Sequence, residues 1–395
     1  MPEIRWVFIL GVVNLLSFVM RAKKYSMNRI MDTKTLRLLI GFSVVMFLVG
    51  FISVWPEKHW EIIDKQFKVF IFIILLYKSI DTPTKFEAVL WVYLTGVFYI
   101  AWVAHDIGRT GNGRLEGVGS IDSTDANDLA AIFVTAVPIL FFHLLEGKTH
   151  LVKIVAFVFL IFVLNGIVLA GSRGAFIGLL ISMVIFLLKT VFFVKEKGFS
   201  FKIKVFIGIL VCCSLFLYLS DQTFWTRMST LLEKETPDSD YNRVIIWEYA
   251  IDLALRHPLG IGAWGYTYLS YSFLPTDVMG NSSLKAIHST YLEVLTSFGF
   301  IGFLIFVKFI YSSFSEIRDA QRILRTKETY LLYQGYALIS AYIGFLICCI
   351  FINRLYCEVL YYFPAFFVVF HNIYKNRSYA VVDNYKLSKP SPLPR

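Results

Sequence analysis

Charge is scarce in this chain. Only 17% of its 395 residues are Asp, Glu, Lys or Arg, against about a quarter in ordinary soluble domains, which leaves too little polar surface to solvate a globule of this size. Cysteine is sparse as well. Cys212, Cys213, Cys348, Cys349 and Cys357 are odd in number, lie within or beside apolar runs, and have the spacing of neither a zinc site nor a disulfide framework. They read as small packing residues. No HExxH element occurs and the acidic residues of 109–128 lack the paired spacing of a metal site, so neither a metal nor another cofactor is expected. No internal repeat is visible.

Apolar surface is what the chain has in quantity. Hydrophobic residues make up 57% of it, and its mean hydropathy is +0.64. An all-α polytopic membrane protein follows, with about 11–12 transmembrane helices, since each crossing needs about 20 apolar residues. Phe and Tyr are abundant, as expected where rings sit at the headgroup level on both sides. Spans are predicted near 4–20, 36–54, 67–80, 86–104, 127–143, 151–170, 174–194, 203–220, 288–311, 330–352 and 355–374. The first has no small-residue cleavage site before Arg21, Lys23 and Lys24, so it reads as an anchor and not a signal peptide.

The formal net charge of +10 falls in short loops between apolar runs, a topology signal rather than a nucleic-acid surface. If the spans alternate, the loops with Arg21 to Arg37, Lys195 to Lys204 and Arg318 to Lys327, together with Lys375 and Arg377, share one side. By the positive-inside rule that side is cytoplasmic. The N-terminus and the segments 105–127 and 221–287 then lie outside, as does the short turn at 171–174. The chain divides into N-terminal helices (1–220), an external loop with an amphipathic helix (221–287), C-terminal helices (288–374) and a disordered cytoplasmic tail (375–395).

Three external stretches place arginines where a bilayer makes them costly. In Gly171-Ser172-Arg173-Gly174, Ser172 is a candidate N-cap, which puts Arg173 in a first helical turn. There the dipole repels a cation, unless an anion is held between the guanidinium and the free N–H groups. The alternative is an arginine snorkelling to the headgroups. Flanking glycines would let a ligand approach the backbone closely. In DYNRVIIWEYAIDLALRH (240–257), ended by Pro258, Glu248, Asp252 and Arg256 form a polar stripe. Arg243 falls opposite it, beside Trp247, Ala250 and Ala254, where it needs either a ligand or an internal carboxylate. In RTGNGRLEGVGSIDSTDAND (109–128), Asp125 or Asn127 reads as the N-cap of the next span, and Arg114 is a weaker anion candidate.

The loop helix is followed by HPLGIGAWG, which has no preceding strand and no evident helix start, so a dinucleotide site is not expected. It reads as a turn-rich segment laying Trp264, Tyr266 and Tyr268 on the membrane surface or against a sugar. AIHSTYLEVLTSFGFIG (286–302) then opens an apolar run. Helical spacing groups His288, Tyr291, Leu292 and Leu295, with His288 in the first turn and Glu293 about 140° away. There the dipole favours a neutral imidazole, either a general base or a plain interfacial cap. Two arginines at helix starts and one such histidine suit a diphosphate leaving group and an activated hydroxyl. Outside the cytoplasm no soluble nucleotide sugar is available, so the donor should be carried on a lipid.

In order, DANDLA, GSRGAF, a long loop with R-x3-W-x2-A and HPLGIGAWG, and HSTYLEVLTSFGFIG resemble the O-antigen ligase and polymerase superfamily of bacterial membrane glycosyltransferases. The motifs cover residues 114–302; the first hundred residues resemble the family only as a set of spans. The resemblance implies a glycosyltransferase C-type bundle in the bacterial inner membrane, with one long periplasmic loop over the active site. It implies metal-independent, inverting transfer of a glycan from undecaprenyl diphosphate to lipid A–core or a similar acceptor. Arg173 and Arg243 would bind the diphosphate and His288 would be the base, with Arg114 and Tyr291 as secondary candidates. A polymerase joining lipid-linked repeats shares this donor chemistry, and a protein O-oligosaccharyltransferase is a third reading. A transporter or flippase for lipid-linked glycans would show repeated halves and interrupted helices, and the sequence shows neither.

Overall fold

The computed structural model describes residues 16, 20, 30–110, 113–115, 117–118, 125–193, 199–229, 238–324 and 329–387. The expected span at 4–20 lies almost wholly outside them. Fourteen α-helices follow in order: α1 (Lys34–Val49), α2 (Pro56–Ser79), α3 (Pro83–Ile107), α4 (Ala126–Glu146), α5 (His150–Ala170), α6 (Arg173–Phe193), α7 (Phe199–Leu219), α8 (Gln222–Ser229), α9 (Asp238–Arg256), α10 (Gly265–Phe273), α11 (Thr276–Met279), α12 (Thr290–Leu324), α13 (Thr329–Phe351) and α14 (Glu358–Leu387). Among the described residues eight helices are long and apolar enough to cross a membrane. The protein is an all-α polytopic membrane protein.

Helix α4 forms the centre. In its most apolar stretch 83% of residues are buried, against 6% in α7, which stands at the lipid-facing rim. Small residues let α6 and α13 cross closely: a Cβ at Gly178 would stand 2.7 Å from the Gly344 carbonyl oxygen. Such contacts replace the hydrophobic driving force that helices lack among lipid tails.

Helix α2 starts well before the span expected at 67–80. Its first half carries Glu57, Lys58, Glu61, Asp64, Lys65 and Lys68, which hide the periodicity in the sequence. These residues neutralise one another on the outer face. Lys58 and Lys65 reach Glu61 at 2.9 and 2.6 Å, and Lys68 pairs with Asp64. The opposite face buries His59, Ile62, Ile63, Gln66, Phe70, Ile73 and Tyr77. At the other end of the chain, α14 continues past the expected boundary at 374, since no proline or glycine occurs before Pro390.

One helix is interrupted. Gly299 in α12 has φ 64° and ψ −171°, which breaks the helical ladder. The carbonyls of Thr296 and Ser297 accept instead from the N–H groups of Ile261 and Gly262, at 3.0 and 2.9 Å, and Phe300 N–H donates to the Pro258 carbonyl at 3.0 Å. The 258–262 segment thus fills the break and leaves these backbone groups satisfied. Its own glycines permit the approach: Gly260 and Gly262 have φ 87° and 90°. Two groups hold the segment from the sides. His59 Nδ1 accepts from Ala263 N–H at 2.9 Å, leaving Nε2–H to donate to the Met46 carbonyl at 3.1 Å. Glu293, fully inside, accepts from Trp264 N–H, Ser297 Oγ and Tyr356 Oη.

The aromatic residues of this segment differ from expectation. Tyr266 is buried and donates to the Ile246 carbonyl at 2.9 Å, anchoring the loop instead of meeting a sugar or lipid. Trp264 is half-buried against the main core, and a helix start does occur here, α10 beginning at Gly265. Only Tyr268 is exposed, its ring 5.0 Å from that of Trp55.

A Cβ at position 299 would stand 2.3 Å from the Pro258 carbonyl oxygen, on a backbone that L-residues rarely adopt. Gly299→Ala should therefore cost at least about 1–3 kcal/mol of strain and melt at clearly lower temperature in detergent. Gly96→Ala is the control: it lies mid-helix with nothing within 4 Å of the added methyl, and should be neutral or slightly stabilising. Equal melting temperatures for the two would remove the constraint assigned to the break.

Candidate active site

At one end of the bundle, where α5, α6, α8, α9 and α13 terminate, lies a cavity of about 220 Å³. Arg114, Arg173, Arg227 and Arg243 line it, with Asn127, Ser172, Gly174, Phe351 and Ile352. Three of the four arginines were expected to act on anions. Arg227 was not, because it sits in a short helix whose only pattern is the buried pair Phe224 and Met228.

Local folding explains each position. Helix α5 ends on Gly171 in the left-handed region at φ 57°, a frequent helix C-terminus. Ser172 then caps α6, its Oγ accepting from Ala175 N–H at 3.4 Å. Arg173 is thus the first residue of α6, and the first-turn N–H groups beside it have no intrahelical acceptor. The two glycines of the turn make room for protein. A Cβ at Gly171 would meet the Arg227 side chain at 3.2 Å, and one at Gly174 would meet Phe351 at 3.1 Å. The carbonyl end of α5 receives two cations: Arg227 Nε donates to Gly171 at 3.0 Å, and Arg109 Nη2 to Val168 at 2.9 Å while also pairing with Asp221. Arg114 donates to Asn127 Oδ1 at 3.0 Å, and its buried Nε has no hydrogen-bond partner. Asp125, not Asn127, caps α4, accepting from Asn127 N–H at 2.6 Å.

Helix α9 forms and ends before Pro258 as expected, but it begins at Asp238, so Arg243 is its sixth residue and lies beyond its first turn. Glu248, Asp252 and Arg256 are exposed, with Arg256 and Asp252 paired at 2.9 Å, while Ala250 and Ala254 are buried. Arg243 enters the cavity from the half-buried side of this helix. One turn later Trp247 Nε1–H donates to the Ile287 carbonyl at 3.1 Å, so the helix bearing Arg243 also pins the residue before His288.

His288 itself differs from expectation. Helix α12 begins at Thr290, so His288 precedes it and stands in the left-handed region at φ 52°. The sequence pattern missed this because Thr290 is held from outside the helix. Its Oγ1 donates to the Ile352 carbonyl and accepts from Arg354 N–H, both at 2.8 Å. His288 keeps an exposed edge with dense protein behind it. Burial, then Arg243 and Lys285, hold its imidazole below the usual histidine value against the opposing pull of Asp125 and Asp128. Burial and the neighbouring Arg114, Arg173 and Arg109 likewise lower Arg227 from its ordinary value. Burial and the neighbouring cations thus favour the neutral form of the histidine. Tyr291 lies apart from the cavity lining, its hydroxyl donating to the Leu346 carbonyl at 2.8 Å.

A buried ion pair supports this end of the bundle. Arg354 is 3% exposed, and its Nη1 stands 2.9 Å from Asp128 Oδ2 while Nη2 donates to Cys357 Sγ at 2.8 Å. Neither partner was singled out in the sequence.

The fold and cavity define a multi-pass membrane protein with an arginine-lined cavity; His288 is not among the lining residues and is linked to it electrostatically through Arg243. Residues 156–307 match the family model described as O-antigen ligase, in keeping with the ligase and polymerase superfamily that the ordered motifs resemble. The matched stretch contains Arg173, Arg227, Arg243 and His288, and it supports a membrane glycosyltransferase of the ligase or polymerase type. No curated protein matches the chain.

Removing one partner of a buried pair costs about 3–5 kcal/mol, whereas replacing both with apolar groups is often near neutral. Asp128→Ala should therefore destabilise strongly, and Asp128→Ala with Arg354→Met should recover much of the loss. A double-mutant cycle in thermal or denaturant unfolding measures the coupling, and additive effects would show that the pair is not a unit.

Proposed function

We propose that the protein transfers a glycan from a lipid-linked diphosphate donor to a hydroxyl acceptor, at the face of the membrane where the arginine cavity opens. The observation that carries this reading is four arginines around about 220 Å³. That volume is below the ~300 Å³ at which ordinary small-molecule pockets begin. It suits a compact anion such as a diphosphate, with sugar and lipid lying outside.

In the proposed step the acceptor hydroxyl gives its proton to neutral His288, and its oxygen bonds to the anomeric carbon. The bond from that carbon to the phosphate oxygen breaks, and its electron pair leaves on the diphosphate. Attack opposite the leaving group inverts the anomeric centre. Arg173 and Arg243, joined by Arg114 and Arg227, offset the charge that develops on the departing diphosphate. The positive-inside pattern supports a periplasmic position for this face, with the protein in a bacterial inner membrane. The favoured acceptor is lipid A–core, with a second lipid-linked repeat as the polymerase reading. The interruption at Gly299 does not favour transport, because its backbone groups are occupied by the 258–262 segment instead of lining an ion path.

Purified protein with an undecaprenyl-diphosphate glycan and lipid A–core should give ligated product, and His288→Ala should lose about a hundredfold or more of the rate. Longer lipid-linked chains would identify a polymerase, and substantial activity in the variant would remove His288 as base. The pH profile gives a separate test. Only neutral His288 can accept the proton, and its pKa lies below the usual value, so wild-type activity should fall only at pH below about 6.5. Arg243→Gln removes a charge that lowers this pKa, so the acid limb should move to higher pH, whatever the loss of rate. An unmoved limb would break the electrostatic link between the two residues.

A further inference from the structure

At the opposite end of the bundle, α1 and α12 part around a second cavity of about 400 Å³. Lys34, Arg37 and Lys308 stand on its walls with Leu38, Tyr311 and Ser312. Among the described residues none of these three cations has a carboxylate within ion-pair distance. Arg318 adds a fourth positive charge at the rim, its guanidinium 5.7 Å from the centre of the Tyr311 ring. The neighbouring acid, Glu316, is only 8% exposed; its carboxylate accepts from Thr35 N–H and Oγ1 at 3.4 and 3.0 Å and also interacts with Lys34, whose charge it partly offsets.

Towards the middle of the bundle the same two helix faces turn apolar. On α1 the row from Arg37 continues through Val44 and Leu48, at i+7 and i+11; on α12 the row from Lys308 continues through Leu304 and Ile301, at i−4 and i−7. All four apolar side chains are about half exposed, between 51% and 58%. Between the rows α1 comes close to α12 at Gly41, whose added Cβ would stand 4.0 Å from Ile305, so the rows flank a shallow groove. Cations at one end and an apolar groove leading away from them match an amphiphile with an anionic head. A soluble phosphate would use the cations and leave the groove unexplained.

We infer that this cavity binds the phosphate headgroup of an anionic phospholipid, with an acyl chain lying along the groove between α1 and α12. Basic pockets between transmembrane helices on the positively charged side bind such headgroups through charge, while the chain gains from burial. The site is separate from the arginine cavity and does not depend on the transfer reaction.

The full-length protein in detergent, mixed with phosphatidylglycerol, phosphatidylcholine or inorganic phosphate, tests this by native mass spectrometry. Phosphatidylglycerol should be retained over phosphatidylcholine, and millimolar inorganic phosphate should not displace it. Each cation removed should weaken retention about fivefold, so Lys34→Gln, Arg37→Gln and Lys308→Gln together should weaken it about a hundredfold. The single variant Lys308→Gln changes one exposed side chain and should still show the fivefold loss if the triple variant does not fold. Equal retention of the two lipids, or unchanged retention in Lys308→Gln, would overturn the site. Full displacement by inorganic phosphate would assign it to a soluble anion and overturn the lipid.

Discussion

Mutual repulsion among guanidiniums is the constraint on which the arginine-lined end of this protein depends. Arg114, Arg173, Arg227 and Arg243 share one small cavity, and like charges repel more strongly as the surrounding medium becomes less polar. The carbonyl end of α5 answers part of this, receiving Arg109 and Arg227 where the helix dipole is negative. Asn127 takes one end of Arg114. The start of α6 does the opposite, since its dipole adds positive potential beside Arg173. The bundle thus gathers four arginines around one small cavity, an arrangement that would gain from an anion entering it.

Holding such a cavity in register needs a rigid frame, and the loop between α7 and α12 supplies it. The segment 221–287 has its own small core of Ile246, Ala250, Tyr266, Leu274, Val278, Met279 and Ile287. It is keyed into the membrane bundle by His59 and Glu293, which grip the backbone at Ala263 and Trp264. Trp247 then fixes Ile287, and Thr290 fixes the start of α12 against the 352–354 turn. His288 lies between these two clamps, which over-determine its left-handed backbone. The spacing R-x3-W in α9 gains a physical meaning here: one turn separates the arginine that enters the cavity from the tryptophan that positions the histidine's neighbour.

Much of this was legible in the sequence, for reasons that also mark where legibility ends. Ser172 capping α6, and Arg243 opposite the stripe of Glu248, Asp252 and Arg256, follow from helical periodicity and cap chemistry alone. The convergence of Arg114, Arg173 and Arg243 was suggested by their common side of the membrane. Arg227 was hidden because eight residues of helix carry too little pattern to orient one side chain. The early start of α2 was hidden because its ion pairs along one helix face look, in sequence, like a polar loop. His288 was placed in a helical turn because propensity cannot see Ile352 and Arg354, whose contacts with Thr290 set the true start. A non-local contact decided the miss at His288, whereas Arg227 and α2 were hidden by local patterns too short or too charged to read.

The break in α12 shows how the same device serves different ends. In a transporter, interrupted helices expose terminal carbonyls and N–H groups to a coupling ion or substrate, and the bundle rocks around them. Here the freed carbonyls of Thr296 and Ser297 are consumed by Ile261 and Gly262, and the approach is so close that Gly260 and Gly299 leave no space for a side chain. A joint of this kind resists sliding, because any shift costs several buried backbone hydrogen bonds together. It joins the loop that carries Arg243 to the helix that follows His288. The interruption therefore acts as a weld: it holds Arg243 and His288 at fixed separation, as the proposed transfer step would require.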